Sequence, residues 1–81
     1  MHESNSIRLL IIGCSGMLGN TLLRYFSDFP GFVVHGTVRE ASSVTLLPYN
    51  IRDKIIPGID ANNTDTIENL IGSLNPEVVL N

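Results

Sequence analysis

Apolar and polar positions divide the chain into short strands and helices that alternate. Residues 7–12, Ile-Arg-Leu-Leu-Ile-Ile, form a nearly unbroken aliphatic run. A run of that length without alternation predicts a strand covered on both faces of a parallel sheet. Behind it, Leu18, Leu22, Phe26 and Phe29 recur at i, i+4, i+8 and i+11, with Leu23 and Tyr25 beside them. That stripe predicts a helix from residue 17 to 27 or 28, with Met17, Leu18, Phe26 and Phe29 in the core. Pro30 and Gly31 end it, because proline cannot continue the hydrogen-bond ladder and glycine accepts the turn.

Residues 32–38 are rich in β-branched side chains and predict a second strand. Over 40–53, Ser, Pro and Asn interrupt short apolar pieces, a pattern compatible with a short helix or an irregular crossover. Residues 55–59 predict a third strand, and Pro57 places it at a sheet edge, where a missing N–H costs no ladder bond. Asn62, Asn63, Thr64 and Asp65 offer cap chemistry for a second helix, whose stripe is Ile67, Leu70, Ile71 and Leu74. Asn75-Pro76 stops that helix, and residues 77–81 begin a fourth strand. With right-handed crossovers, this alternation predicts the amino-terminal half of an α/β, Rossmann-type doubly wound parallel sheet. The expected strand order is 3-2-1-4, with one helix on each face. The ligand crevice of such a sheet lies where the order reverses, here at the carboxyl ends of the first and fourth strands.

Composition narrows the setting. The 81 residues make at most one small domain: a flexible tail over 1–6 and a partial Rossmann-type domain over 7–81. A hydrophobic fraction of 43% against 16% charged excludes a disordered acidic or basic segment. So apolar a unit reads as one whose surface is partly covered, and bare sheet edges point to self-association as a homo-oligomer. Net charge is −3 with no cluster of Lys or Arg, which argues against nucleic acid as a partner. The single cysteine, Cys14, has no internal disulfide partner, and no Cys/His spacing suggests zinc. Both fit a cytoplasmic setting. The run over 7–12 is far shorter than the about 20 residues a membrane span needs, and no basic segment precedes it as in a signal peptide.

The chemistry concentrates in Gly13-Cys14-Ser15-Gly16-Met17-Leu18-Gly19, directly behind the first strand. Glycines let the backbone turn sharply and let a pyrophosphate approach without meeting a Cβ. The helix that follows offers unpaired N–H groups and a partial positive charge. Gly13, Ser15, Gly16, Met17, Leu18 and Gly19 are therefore candidate cofactor contacts. The second strand ends at Val38-Arg39, with Glu40 only after it. An NAD site usually carries an acid at that strand end, whereas a guanidinium pairs well with a 2′-phosphate. Arg39 thus favours NADP(H) over NAD(H). Cys14 has no His or cation placed to activate it and reads as a small filler. His35 reads as a packed or edge histidine, and Asp28, Glu40, Asp53 and Glu68 as solvated or capping charges.

The spacing G-x-x-G-x-x-G resembles the glycine motif of extended short-chain dehydrogenase/reductases. More narrowly, the turn resembles that of the dTDP-4-dehydrorhamnose reductases and related sugar-nucleotide reductases. The likeness continues through Gly36-Thr37-Val38-Arg39, Pro57-Gly58-Ile59-Asp60 and the run over 75–81, so it spans nearly the whole chain. One departure is Ile12, where the superfamily usually has a threonine whose side chain bonds within the turn. The resemblance implies that Asp60 accepts from the adenine amino group, with Ala61 beside it, and that Asn81 stands under the cofactor. It also implies a nucleotide-sugar substrate for a full-length form. Hydride transfer in that superfamily depends on a Tyr-x-x-x-Lys pair, with the tyrosine as general acid. Here Tyr25 is followed four positions on by Phe29, and Tyr49 by Asp53. The expectation is a cofactor-binding part without the catalytic and substrate-binding parts, holding the cofactor weakly if at all when alone. Two other readings share the same turn: a non-catalytic NAD(P)-binding module, and a fragment of a nucleotide-sugar epimerase or dehydratase.

Overall fold

The structure is a computed structural model that describes residues 6–81. Of the tail expected over 1–6, only Ser6 is therefore described, and it belongs to no strand or helix. The chain runs β1 (Ile7–Ile11), α1 (Met17–Ser27), β2 (Phe32–Thr37), β3 (Ile55–Ile56), α2 (Thr64–Leu74) and β4 (Val78–Leu80). All strand pairs are parallel and the sheet order is β3-β2-β1-β4. The fold is thus an α/β, Rossmann-like half with the expected order.

β1 is central: Leu9 faces Val34 on one side and Val78 on the other, and Ile11 faces Gly36 and Leu80. Leu9, Leu10, Ile11 and Ile12 are all buried, so the carboxyl half of this strand is covered on both faces. Alternation sends Leu9, Ile11 and Val34 to one face, where they cluster with Leu23 and the partly buried Leu22 and Phe26 of α1. Leu10 and His35 point to the other face and line a gap of about 30 Å³ with Leu74 and Pro76. The two helices therefore lie on opposite faces.

The first helix turns a different stripe to the sheet than the sequence suggests. Met17 is 87% exposed, Leu18 69% and Phe29 41%, while Phe26 is half-buried and Leu23 fully buried. The inward stripe is Gly19, Leu22, Leu23 and Phe26, at i, i+3, i+4 and i+7. A Cβ on Gly19 would lie 2.4 Å from the Gly13 carbonyl oxygen. The helix approaches so closely there that the inward position has no room for a side chain, which rotates Leu18 outward.

Residues 40–53 resolve into two 3-10 helices, Ala41–Leu46 and Tyr49–Lys54. Leu47 and Ile51 anchor them in the core. Arg52 staples them, donating from Nε to the Leu47 carbonyl at 3.0 Å and from Nη2 to the Thr45 carbonyl at 3.1 Å. The third strand is only Ile55–Ile56, at the sheet edge, with Pro57 just outside it. Asn63 caps α2, its side chain accepting from the Thr66 N–H at 3.1 Å. Asn75 ends the helix in the left-handed region, at φ 50°. Arg8 joins that end to the sheet, donating from Nε to the Asn75 carbonyl at 2.7 Å. β4 forms the other edge, where Val78 and Val79 are exposed. Among the described residues, no helix is long and apolar enough to cross a membrane.

Candidate functional site

The glycine turn leaves the carboxyl end of β1 and enters α1, and each of its glycines has a different local setting. Gly13 has φ +83°, a conformation that side chains with a Cβ disfavour. Gly16 is extended and serves as the N-cap of α1 without a capping side chain. Gly19 supplies the close approach already described. The turn is held from β2: the Gly13 N–H donates to Thr37 Oγ1 at 3.1 Å, and the Cys14 N–H to the Thr37 carbonyl at 2.7 Å. The Gly16 N–H reaches the Gly13 carbonyl at 3.4 Å.

These bonds leave a defined set of donors. Among the described residues, the N–H groups of Ser15, Met17, Leu18 and Gly19 have no protein acceptor. No acidic side chain stands in the first turn of α1. An uncapped helix start with free N–H groups and no competing carboxylate is a receptor for an anion.

The turn opens onto a crevice of about 390 Å³ at the carboxyl ends of β1 and β4. Of the residues expected to contact a cofactor, Gly13, Gly16, Met17, Leu18, Gly19 and Asn81 line it. Ile11, Ile12, Leu22 and Leu80 supply apolar wall, which also explains why Met17 and Leu18 stand exposed at its rim. The crevice thus joins an apolar wall to the unengaged backbone donors of the turn.

The other expected contacts lie elsewhere. Ser15 is exposed and does not line the crevice. Arg39 stands two residues beyond β2, its Nε 4.0 Å from Glu40 Oε2, with both side chains 71% exposed. An ion pair so open to water is weak and leaves the guanidinium able to exchange partners. Asp60 lines a separate, polar hollow with Asn62, Asn63, Thr64 and Asp65, and Ala61 is exposed beside it. One Asp60 oxygen closes a local turn, accepting from the Asn62 N–H at 2.9 Å, which leaves Oδ2 unengaged. Sequence reasoning missed this turn-forming role, although Asp followed two residues on by Asn is a legible Asx-turn pattern. It also missed Thr37, for which the only signal was a polar residue inside an apolar strand.

Cys14 is fully buried, and its Sγ donates to the Ile11 carbonyl at 3.3 Å. Burial pushes the thiol up to about 11 from 9.0, against a smaller opposing effect of a backbone hydrogen bond with Thr37. It is protonated at neutral pH and is no nucleophile. Because the folded state holds this proton more tightly than the unfolded state, the contribution to stability is intact below pH 9 and is lost as pH rises toward 11. We expect about 2 kcal/mol of urea-measured stability to disappear between pH 8 and 10.5, and Cys14→Ala to remove that loss. An identical pH dependence in both proteins would contradict the assignment.

No family model, curated protein or solved structure matches this chain. The functional reading therefore stands on the turn, the crevice and the residues around them. Among the described residues, no group of three or more His, Cys, Asp or Glu could hold a metal ion.

Proposed function

We propose that this chain is the dinucleotide-binding part of an NADPH-dependent reductase acting on a nucleoside-diphosphate 4-keto sugar, similar to the dTDP-4-dehydrorhamnose reductases. The supporting observation is the coincidence of the glycine turn with the reversal of strand order: free N–H groups and an apolar-walled crevice meet there. The Ser15, Met17 and Leu18 N–H groups take the pyrophosphate, and Arg39 takes the 2′-phosphate. Asp60, through its unengaged oxygen, takes the adenine amino group. The choice of sugar nucleotide rests on the resemblance of the motif alone. These 81 residues hold no Tyr-x-x-x-Lys pair, so on this reading they hold the cofactor and do not themselves transfer hydride.

Arg39 provides the test of cofactor choice. Arg39→Ala should weaken NADPH by about tenfold or more, the value of a lost charge-assisted hydrogen bond, and leave NADH within about twofold. Titration of both cofactors against both proteins gives the comparison. Equal losses for NADPH and NADH would remove the 2′-phosphate role.

A further inference from the structure

We propose that Thr37 is the positioning residue of the glycine turn, selecting from the neighbouring strand which N–H groups face the ligand. This inference rests on the cofactor reading above but is carried by a separate observation. Thr37 is 1% exposed and is the buried polar residue of an otherwise apolar core. Its two oxygens take two consecutive donors of the turn: Oγ1 that of Gly13 at 3.1 Å, and the carbonyl that of Cys14 at 2.7 Å. A buried hydroxyl that satisfies a part-buried N–H is costly to remove from one side only. Ile12, just beyond β1, carries no side-chain oxygen, and the side-chain oxygen that meets the Gly13 N–H comes from Thr37 of β2.

With Gly13 and Cys14 occupied, the first unengaged donors are Ser15 and the opening residues of α1. The side chain of Thr37 thereby withdraws the Gly13 N–H from the anion, and its carbonyl withdraws that of Cys14. Thr37 also ties the turn directly to β2, two residues before Arg39, in addition to the β1–β2 pairing.

Thr37→Val keeps the shape and deletes the oxygen, whereas Thr37→Ser keeps the oxygen and loses a methyl. In the full chain, amide hydrogen exchange should accelerate at Gly13 about tenfold in Thr37→Val and return close to wild type in Thr37→Ser, with Leu10 unchanged in both. NADPH affinity should fall about tenfold in Thr37→Val and change less than about threefold in Thr37→Ser. If Thr37→Val fails to fold, Thr37→Ser against Thr37→Ala gives the same contrast. Unchanged Gly13 exchange in Thr37→Val would overturn the proposal, as would an altered amide with unaltered NADPH affinity. A wild-type protein whose turn amides show no saturable response to NADPH even in the millimolar range, where weak binding registers, would overturn the cofactor reading, while the exchange data still decide the Thr37–Gly13 contact.

Discussion

Gly19→Ala should lower stability by about 3 kcal/mol and the melting temperature by about 15 °C, and should abolish measurable dinucleotide binding. The added methyl would lie 2.4 Å from the Gly13 carbonyl oxygen and 3.0 Å from both Cys14 Cα and the Gly13 carbonyl carbon. All three are backbone atoms, so no rotamer change relieves the overlap. The helix must move away from the turn, which opens the anion receptor and the Leu23 contact together. Gly72→Ala is the matching control, because nothing lies within 4 Å of the new methyl in α2. There the change should stabilise the protein by about 0.5 kcal/mol. Gly16→Ala should also be mild, since its Cβ would meet the Gly13 carbonyl at an ordinary 3.7 Å. Thermal unfolding of the three variants reads the contrast directly. A Gly19→Ala protein as stable as Gly16→Ala would mean that the helix does not approach the turn this closely.

Gly36→Ala should cost about 2 kcal/mol, and this loss should depend on Cys14. The new methyl would sit 2.5 Å from Cys14 Sγ, 3.3 Å from Leu23 Cδ2 and 3.4 Å from Cys14 Cβ. Removing the sulfur leaves contacts that small adjustments accommodate. Cys14→Ala alone should destabilise by about 1 kcal/mol through the space it vacates. The double variant should be more stable than the sum of the two by about 1 kcal/mol or more, because the methyl then fills the place of the sulfur. Urea unfolding of the four proteins closes the cycle. Additive losses would show that Gly36 and Cys14 do not share one space.

The sequence carried the topology well, because topology follows from signals that tertiary packing does not override. The aliphatic run over 7–12, the prolines at 30 and 76 and the amide cap before α2 all mark boundaries through local sterics and hydrogen bonding. Pro57, expected inside a strand over 55–59, instead stands just past a strand of only Ile55–Ile56. Together with right-handed crossovers, these boundaries lead to the strand order and the crevice. The orientation of α1 was not legible in the same way. Leu18 and Phe29 belong to a helical stripe, yet Gly19 faces the sheet, and a glycine adds nothing to an apolar pattern. Residues 40–53 were obscure for a related reason: the first 3-10 helix buries none of its residues and the second only Ile51, with Leu47 buried between them, so no periodic face forms.

The candidate site divides along the same line. The glycine turn and Asn81 meet at one crevice because strand order brings the ends of β1 and β4 side by side. Arg39 and Asp60 stand at the ends of other strands, and only a bound dinucleotide would link them to that crevice. Thr37 could not be found from a motif, since its role depends on the β1–β2 pairing that sets Ile11 beside Gly36.

On the proposed reading, the turn between β1 and α1 receives the phosphates of a dinucleotide. Amide chemical shifts followed during an NADPH titration into the millimolar range test it most directly, because they register weak binding residue by residue. Saturable shifts are expected at Ser15, Met17, Leu18 and Gly19, with Asn81 and the amides around Arg39 following the same curve. An absence of saturable shifts at the turn, or shifts confined to the hollow around Asp60 and Asp65, would contradict it.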